Sequence, residues 1–198
     1  MGLLIGISGK RGAGKSLLGT VLTEHHGFQD FSFAGALKAH CRQAFGLTSE
    51  QTDGRLKEEP TGLVKTWVHL ACGRSPGTYW TPRDIMIAVG NFYRGFDEDF
   101  WVKRVMSAAA AVPLAAITDV RYANEARHIV AAGGVVVRLD RSHELNVYKA
   151  ILTDRSETEL DGWPFNFRLG EDRNIDRNSL EVFAREILSD IRSRHVAP

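Results

Sequence analysis

Very few cysteines, no long apolar run and almost no net charge are the first features of this 198-residue chain. Only Cys41 and Cys72 are present, too few for a disulfide framework, and the start lacks the apolar stretch and cleavage pattern of a signal peptide. A reduced, cytoplasmic setting is expected. No apolar run approaches the about 18 residues of a membrane span, and the longest candidate, 108–117, is interrupted by Pro113. No membrane is therefore expected as a partner. Lys and Arg number 25 against 24 Asp and Glu, a formal net charge of +1, so no global basic field points to a nucleic acid polymer. Any anion must be held by local clusters. Repeats and low-complexity segments are also missing, and the length suits one domain with a full core.

What is present is concentrated near the start. The stretch "GKRGAGKS", Gly9 to Ser16, satisfies G-x-x-x-x-G-K-[ST] at each fixed position and adds small residues at Gly12 and Ala13. Residues 3–7 read as a short buried parallel strand, and an apolar helical period opens at Leu17, so the order is strand, glycine loop, helix. Glycines let main-chain N–H groups turn inward around phosphate oxygens where a Cβ would collide. The helix beginning near Lys15 adds the positive end of its dipole. This composition predicts a polyphosphate site built from Gly9, Gly12, Ala13, Gly14, Lys15, Ser16 and Leu17, the ATP site if the chain is a kinase. Lys15 is expected on the β- and γ-phosphates and the Ser16 hydroxyl on Mg²⁺.

Downstream, residues 28–33 read as a second strand and 34–45 as a helix. From 46 to 95 the pattern weakens, because Asp53-Gly54, Pro60, Gly62 and Pro82 break it into short pieces, as expected of an insertion over a site. Helical character returns over 99–111. Residues 114–118 form an apolar strand ending in Asp119, 124–132 a helix, and 135–137 a strand. Residues 141–163 are polar and weakly periodic, and 165–169 suit a last strand. The final helix carries Leu180, Phe183, Ala184, Ile187, Leu188 and Ile191 at helical spacing, with Asn178 as expected N-cap and Glu181 three residues later. Strand and helix alternate, so an α/β fold with a parallel sheet flanked by helices is expected. The predicted organisation is a single P-loop domain over 1–198, with a core at about 1–45 and 99–198, a helical insertion at about 46–98 and a lid at about 141–164.

Asp119 stands where a Walker B carboxylate belongs and is the second expected Mg²⁺ ligand, although an aspartate there can also cap the following helix. It is followed by Val120, Arg121 and Tyr122, which matches neither a D-x-x-G switch nor the acidic pair of an ATP-driven motor. The broken region interleaves Lys38, Arg42, Arg55, Lys57, Arg74, Arg83 and Arg94 with Tyr79, Trp80, Phe92, Tyr93 and Trp101. Cations with flat rings suit a phosphate attached to a nucleobase, while singly each such residue is more readily a solvated charge or a core ring, so the reading rests on the ensemble. Arg138, Arg141 and Arg155 form a second cationic group, read as lying in the irregular segment and suiting either a closing lid or an ordinary charged loop. No Ser/His/Asp or Cys/His arrangement stands out. Transfer onto a phosphate needs none, since a monoester with second pKa near about 6 is already an ionised nucleophile at neutral pH.

Several stretches together resemble the deoxynucleoside monophosphate kinases of tailed phages: "FSFAGALK", "GRLKEE", "TPRDIMIAVGNFYR", "DEDFWV", "DVRYANEARHI", "GGVVVRLDR", the late "RSE" and "NIDRNSLEVF". The chain departs from that pattern at Asp154 and Asn91, where histidine and threonine are common, and at 175–178, a compressed form of the usual asparagine-containing turn near the adenine; these positions bear on base preference and lid chemistry. The resemblance implies a P-loop kinase passing the γ-phosphoryl of ATP to a deoxynucleoside 5′-monophosphate (dNMP) with Mg²⁺, in the cytoplasm, or the host cytoplasm if the chain is of phage origin. It implies that Lys38, Arg83 and Arg94 grip the acceptor with Trp101 beside it, that Arg121 and the lid arginine Arg141 bridge the phosphates with Lys15, and that Glu157 belongs to the site edge. The expected partners are these two small molecules, with a homodimer left open. A dephospho-coenzyme A or phosphomevalonate type of kinase, and a non-catalytic nucleotide-binding protein, are the alternatives.

Overall fold

The computed structural model describes residues 2–63, 79–140, 155–170 and 175–196. Among them five strands and eight α-helices run in the order β1 (Leu3–Gly9), α1 (Lys15–His26), β2 (Gln29–Phe31), α2 (Phe33–Phe45), α3 (Ser49–Thr52), a 3-10 turn (Arg55–Glu58), α4 (Pro82–Phe96), α5 (Phe100–Ala110), β3 (Leu114–Val120), α6 (Ala123–Ala131), β4 (Val135–Leu139), α7 (Arg155–Thr158), β5 (Phe167–Leu169) and α8 (Arg177–Val196). The chain divides into two compact units, one of Met1–Phe33 with Val102–Pro198 and the other of Ala34–Trp101.

The first unit holds the sheet, whose strands are all parallel in the order β2-β3-β1-β4-β5. Alternation sorts its side chains. Ile5 and Ile7 of β1 and Val135, Val137 and Leu139 of β4 join Leu18, Val21 and Leu22 of α1 and Leu180, Phe183, Ile187 and Ile191 of α8 in one core. The other face of β1 carries Gly6, where an added Cβ would lie 2.6 Å from Ile129 of α6, so α6 packs close against that side. The pairing of β1 with β3 slips between Gly6 and Ser8, where three steps along β3 match two along β1. Such an irregularity re-aims the residues at the end of a strand, and Asp119 lies within it.

The final helix is capped two residues before the expected Asn178. Asp176 Oδ1 accepts from the Ser179 amide at 2.8 Å, and Ser179 Oγ accepts in turn from the Asp176 amide at 3.0 Å, so Asp176 is the cap and Asn178 lies inside the first turn. Glu181 is thereby freed from capping. It accepts from His25 Nδ1 at 3.0 Å and pairs with His26 Nε2 at 3.3 Å, fastening the end of α1 to the start of α8.

In the second unit the expected short pieces are present as α3 and the 3-10 turn, but the break expected at Pro82 is not. Pro82 begins a 15-residue helix, because proline at the first helical position gives up only an N–H that has no partner there. Thr81 and Asp84 close a capping box around it, with Thr81 Oγ1 accepting from the Asp84 amide at 3.1 Å. Cys41, Leu47 and Ile85 form the buried centre of this unit, covered by Leu37, Trp80, Met86 and Val89. Beside it Tyr93 stacks on Phe100, with His40 and Trp101 edge-on.

Candidate functional site

The loop between β1 and α1 is shaped by its glycines. Gly14 sits at φ 92°, and a Cβ there would come within 2.7 Å of Ile175 Cγ2, so both conformation and space demand glycine. Gly9 is similarly pressed, its missing Cβ lying 2.7 Å from the Leu139 carbonyl oxygen. Gly12 takes φ 79°, while Ala13 is buried and its amide donates to Lys10 O at 3.1 Å, tightening the turn. Leu17 packs against the core of the sheet. Gly14 caps α1 without a side-chain acceptor and no acid stands in the first turn, which leaves that end of the helix electropositive.

Lys15 folds back over the loop, its Nζ donating to Gly9 O at 2.6 Å and Lys10 O at 2.9 Å. Burial and then the charge of Arg121, with a smaller push from Arg138, lower its pKa from 10.5 to about 8, against the opposing pull of Glu157 and Asp119. Lys15, Arg121, Glu157, Arg138 and Asp119 thus share one electrostatic site. Glu157, only 7% exposed, accepts from the Arg11 amide at 2.8 Å and from the Arg121 guanidinium. Burial alone would raise its pKa, but the hydrogen bonds from Arg121 and Arg11 and the charges of Arg121 and Lys15 outweigh it and hold the carboxyl below its ordinary value.

Arg121 is aimed by the turn that carries it. Glu125, on the first turn of α6, accepts from the amides of Arg121 at 2.7 Å and Tyr122 at 3.0 Å, fixing the chain between β3 and α6. Its burial is enough to push its pKa up from 4.5 to about 7 despite those two bonds. Glu159 secures the next amide, Ala123 N, at 2.9 Å. Glu159 has no local sequence signal, whereas Glu125, three residues after Tyr122, has the spacing of a capping box.

Arg138 belongs to β4 and not to an irregular segment, contrary to expectation, and it is 5% exposed. Its guanidinium bonds Asp140 and Asp161, each at 2.9 Å, and Ser8 Oγ at 3.3 Å, so the end of β1 and the chain on either side of 141–160 meet at one buried cation. Paired in this way, a buried guanidinium can stay charged. Arg155 lies exposed on α7, bonded to Glu159 and 5.9 Å from the centre of the Tyr122 ring. Arg141 lies outside the described residues.

Asp119 is held from both sides at the end of β3. Oδ2 accepts from Ser32 Oγ at 2.7 Å and Oδ1 from the Phe33 amide at 2.8 Å, so it ties the end of β3 to the chain just after β2. Asp119 and Ser16, the latter exposed in the first turn of α1, each offer the hard oxygen donors that Mg²⁺ takes. Among the described residues no three His, Cys, Asp or Glu side chains could hold a metal by themselves. An ion here would take its remaining ligands from phosphate and water, as Mg²⁺ commonly does.

In the second unit the expected acceptor residues Lys38 and Arg83 are paired with carboxylates. Lys38 Nζ bonds Asp53 Oδ1 at 2.8 Å, and Arg42 bonds Asp53 Oδ2 at 2.9 Å and the buried Thr52 hydroxyl at 2.8 Å. Arg83 pairs with Glu58. Arg94 extends along α4 over Gly90. Trp101 is 3% exposed and its Nε1 donates to Gly90 O at 3.4 Å, which seats the ring in the aromatic cluster of this unit.

No protein-family model matches the chain. A protein of Acanthamoeba polyphaga mimivirus, named provisionally as a deoxynucleotide monophosphate kinase, is 28% identical over 158 residues, 70% of this chain and 74% of that one. Among solved structures, dephospho-CoA kinase from Campylobacter jejuni superposes with a TM-score of 0.51 at 11% identity, covering 95% of this chain and 96% of the other. TT1252 from Thermus thermophilus gives 0.50 at 13% identity over 96% and 97%. No helix among the described residues is long and apolar enough to cross a membrane. The all-parallel sheet, its strand order and the glycine loop at the end of β1, with the likeness to the Campylobacter enzyme, give this chain the α/β P-loop NTPase fold found in small-molecule kinases.

Proposed function

We propose that the protein transfers the γ-phosphoryl group of ATP to a deoxynucleoside 5′-monophosphate, yielding ADP and the deoxynucleoside diphosphate. The observation that carries this reading is the joining of Lys15, Arg121 and the uncapped start of α1 in one site, with Asp119 close enough to act on Lys15. The mimivirus relative supports the choice of acceptor, as does the resemblance to phage deoxynucleoside monophosphate kinases carried by the stretches from "FSFAGALK" to "NIDRNSLEVF".

In this reading the loop amides of residues 9–17 bind the polyphosphate of ATP. Lys15 swings from the carbonyls of Gly9 and Lys10 onto the β- and γ-phosphates, and Arg121 neutralises charge on the transferring group, with Arg141 assigned the same task. Mg²⁺, held by Ser16 and Asp119, supplies further charge neutralisation when bound. Lys38, Arg83 and Arg94 are assigned to the phosphate of the acceptor, and Trp101 to support of that region. The acceptor phosphate is its own nucleophile, so alignment and charge compensation suffice without a protein base.

A coupled assay of ADP formation tests the proposal, with each dNMP in turn and with dephospho-coenzyme A as a comparison acceptor. Turnover with one or more dNMPs, lost in Lys15→Ala, is the expected result. A folded preparation that binds ATP yet turns over only dephospho-coenzyme A, or no acceptor at all, would overturn it.

A further inference from the structure

We propose that Glu157 is an internal anion seated where the protein receives polyphosphate, and that nucleotide binding displaces it and transfers Arg121 from the carboxylate to phosphate. This rests on the nucleotide reading of the loop and not on the identity of the acceptor.

The geometry points to the role through the chemistry of its partners. One carboxylate oxygen takes the main-chain N–H of Arg11, the second variable position of the glycine loop, and the other takes the Arg121 guanidinium. A loop amide and an arginine are the donors a phosphate oxygen would use. Glu157 also acts on Lys15 across the same site, opposing the effects of burial, Arg121 and Arg138 on that lysine. Arg138 already has Asp140 and Asp161 as partners, but Lys15 and Arg121, gathered beside a helix start with no side-chain cap, call for a counter-charge in the nucleotide-free protein, and Glu157 is the nearly buried carboxylate that touches both loop and arginine. Once a polyphosphate brings its own negative charge, carboxylate and phosphate repel and compete for the same donors. The carboxylate then becomes the group that gives way.

A different role would have the opposite consequence. A glutamate that merely props the loop open for nucleotide should leave binding weaker when it is removed. A glutamate that occupies the seat should leave binding tighter, by roughly tenfold for the loss of a competing charge-assisted hydrogen bond.

Tripolyphosphate separates these outcomes, because it carries no base and no acceptor. Calorimetric titration of the wild type and Glu157→Gln should show roughly tenfold tighter binding in the variant. The variant should also melt lower without ligand and gain more from saturating tripolyphosphate than the wild type does. Glu157→Asp keeps the charge but is one methylene too short to reach both donors, and it should fall between the two should the Gln variant fail to fold. In the wild type, the ¹³C signal of the Glu157 carboxyl should move on titration as its two donors leave. Equal or weaker binding in the variants, a carboxyl signal that does not move, or no tripolyphosphate binding by any form would overturn the proposal. Displacement without dNMP phosphorylation would leave it standing and remove the proposed acceptor. Normal dNMP turnover with unchanged tripolyphosphate affinity in Glu157→Gln would do the reverse.

Discussion

Gly14→Ala probes how far the loop depends on a backbone that only glycine can adopt. The residue caps α1 at φ 92°, and the new methyl would meet Ile175 Cγ2 at 2.7 Å. The left-handed backbone costs an L-residue about 1–2 kcal/mol. Forcing a methyl into a filled space adds about 1–3 kcal/mol. The opposite end of the same helix provides a control. Gly27, its C-cap, has φ 72°, but a Cβ there would meet nothing nearer than Leu114 Cδ1 at 4.0 Å, so Gly27→Ala should bear only the conformational cost. Urea unfolding should therefore place Gly14→Ala about 1–3 kcal/mol below Gly27→Ala. Calorimetry should show ATP binding weakened in the first variant and close to wild type in the second. Equal losses of stability with equal ATP affinity would refute the steric account of the loop.

Lys15 has a folded-state pKa of about 8, lowered from 10.5, so it loses its proton in the free protein above about pH 8 while phosphate binding favours the charged form. ATP affinity should fall above that pH, with proton uptake on binding at pH 9; calorimetry in two buffers of different ionisation enthalpy measures it, and uptake near zero would contradict the assignment. Glu125 is raised from 4.5 to about 7, which favours its neutral form in the folded protein. Its contribution to stability is complete below about pH 4.5 and is lost as pH rises through about 7. Gln keeps an acceptor for the amides of Arg121 and Tyr122, so Glu125→Gln should be more stable than wild type at pH 8 and lose that advantage at pH 5, as followed by thermal melting. For α8, Asp176→Ala should lower the melting temperature more than Asn178→Ala, and the reverse order would restore Asn178 as the cap.

The loop was legible because every fixed letter answers to a local demand: a glycine where φ is positive, a lysine and a serine where a helix begins. The alternation of strands and helices was legible for a similar reason, since periodicity within each segment carries it. Pro82 was read as a break because proline usually interrupts a helix; that it begins α4 depended on Thr81 and Asp84, whose spacing was available in the sequence and decisive in the fold. Asn178 lost the cap to Asp176 because Ser179 completes a reciprocal pair with the earlier residue. Arg138 and Glu157 could not be placed from spacing. Their partners lie 130 residues away at Ser8 and 146 away at Arg11, and only the closing of the sheet brings them together.

Transfer of label from [γ-³²P]ATP to the four dNMPs tests the central claim most directly, with products separated by chromatography. The account predicts labelled deoxynucleoside diphosphate with at least one of the four, and none in Lys15→Ala. Label released only as inorganic phosphate, or retained in ATP by protein that binds it, would contradict it.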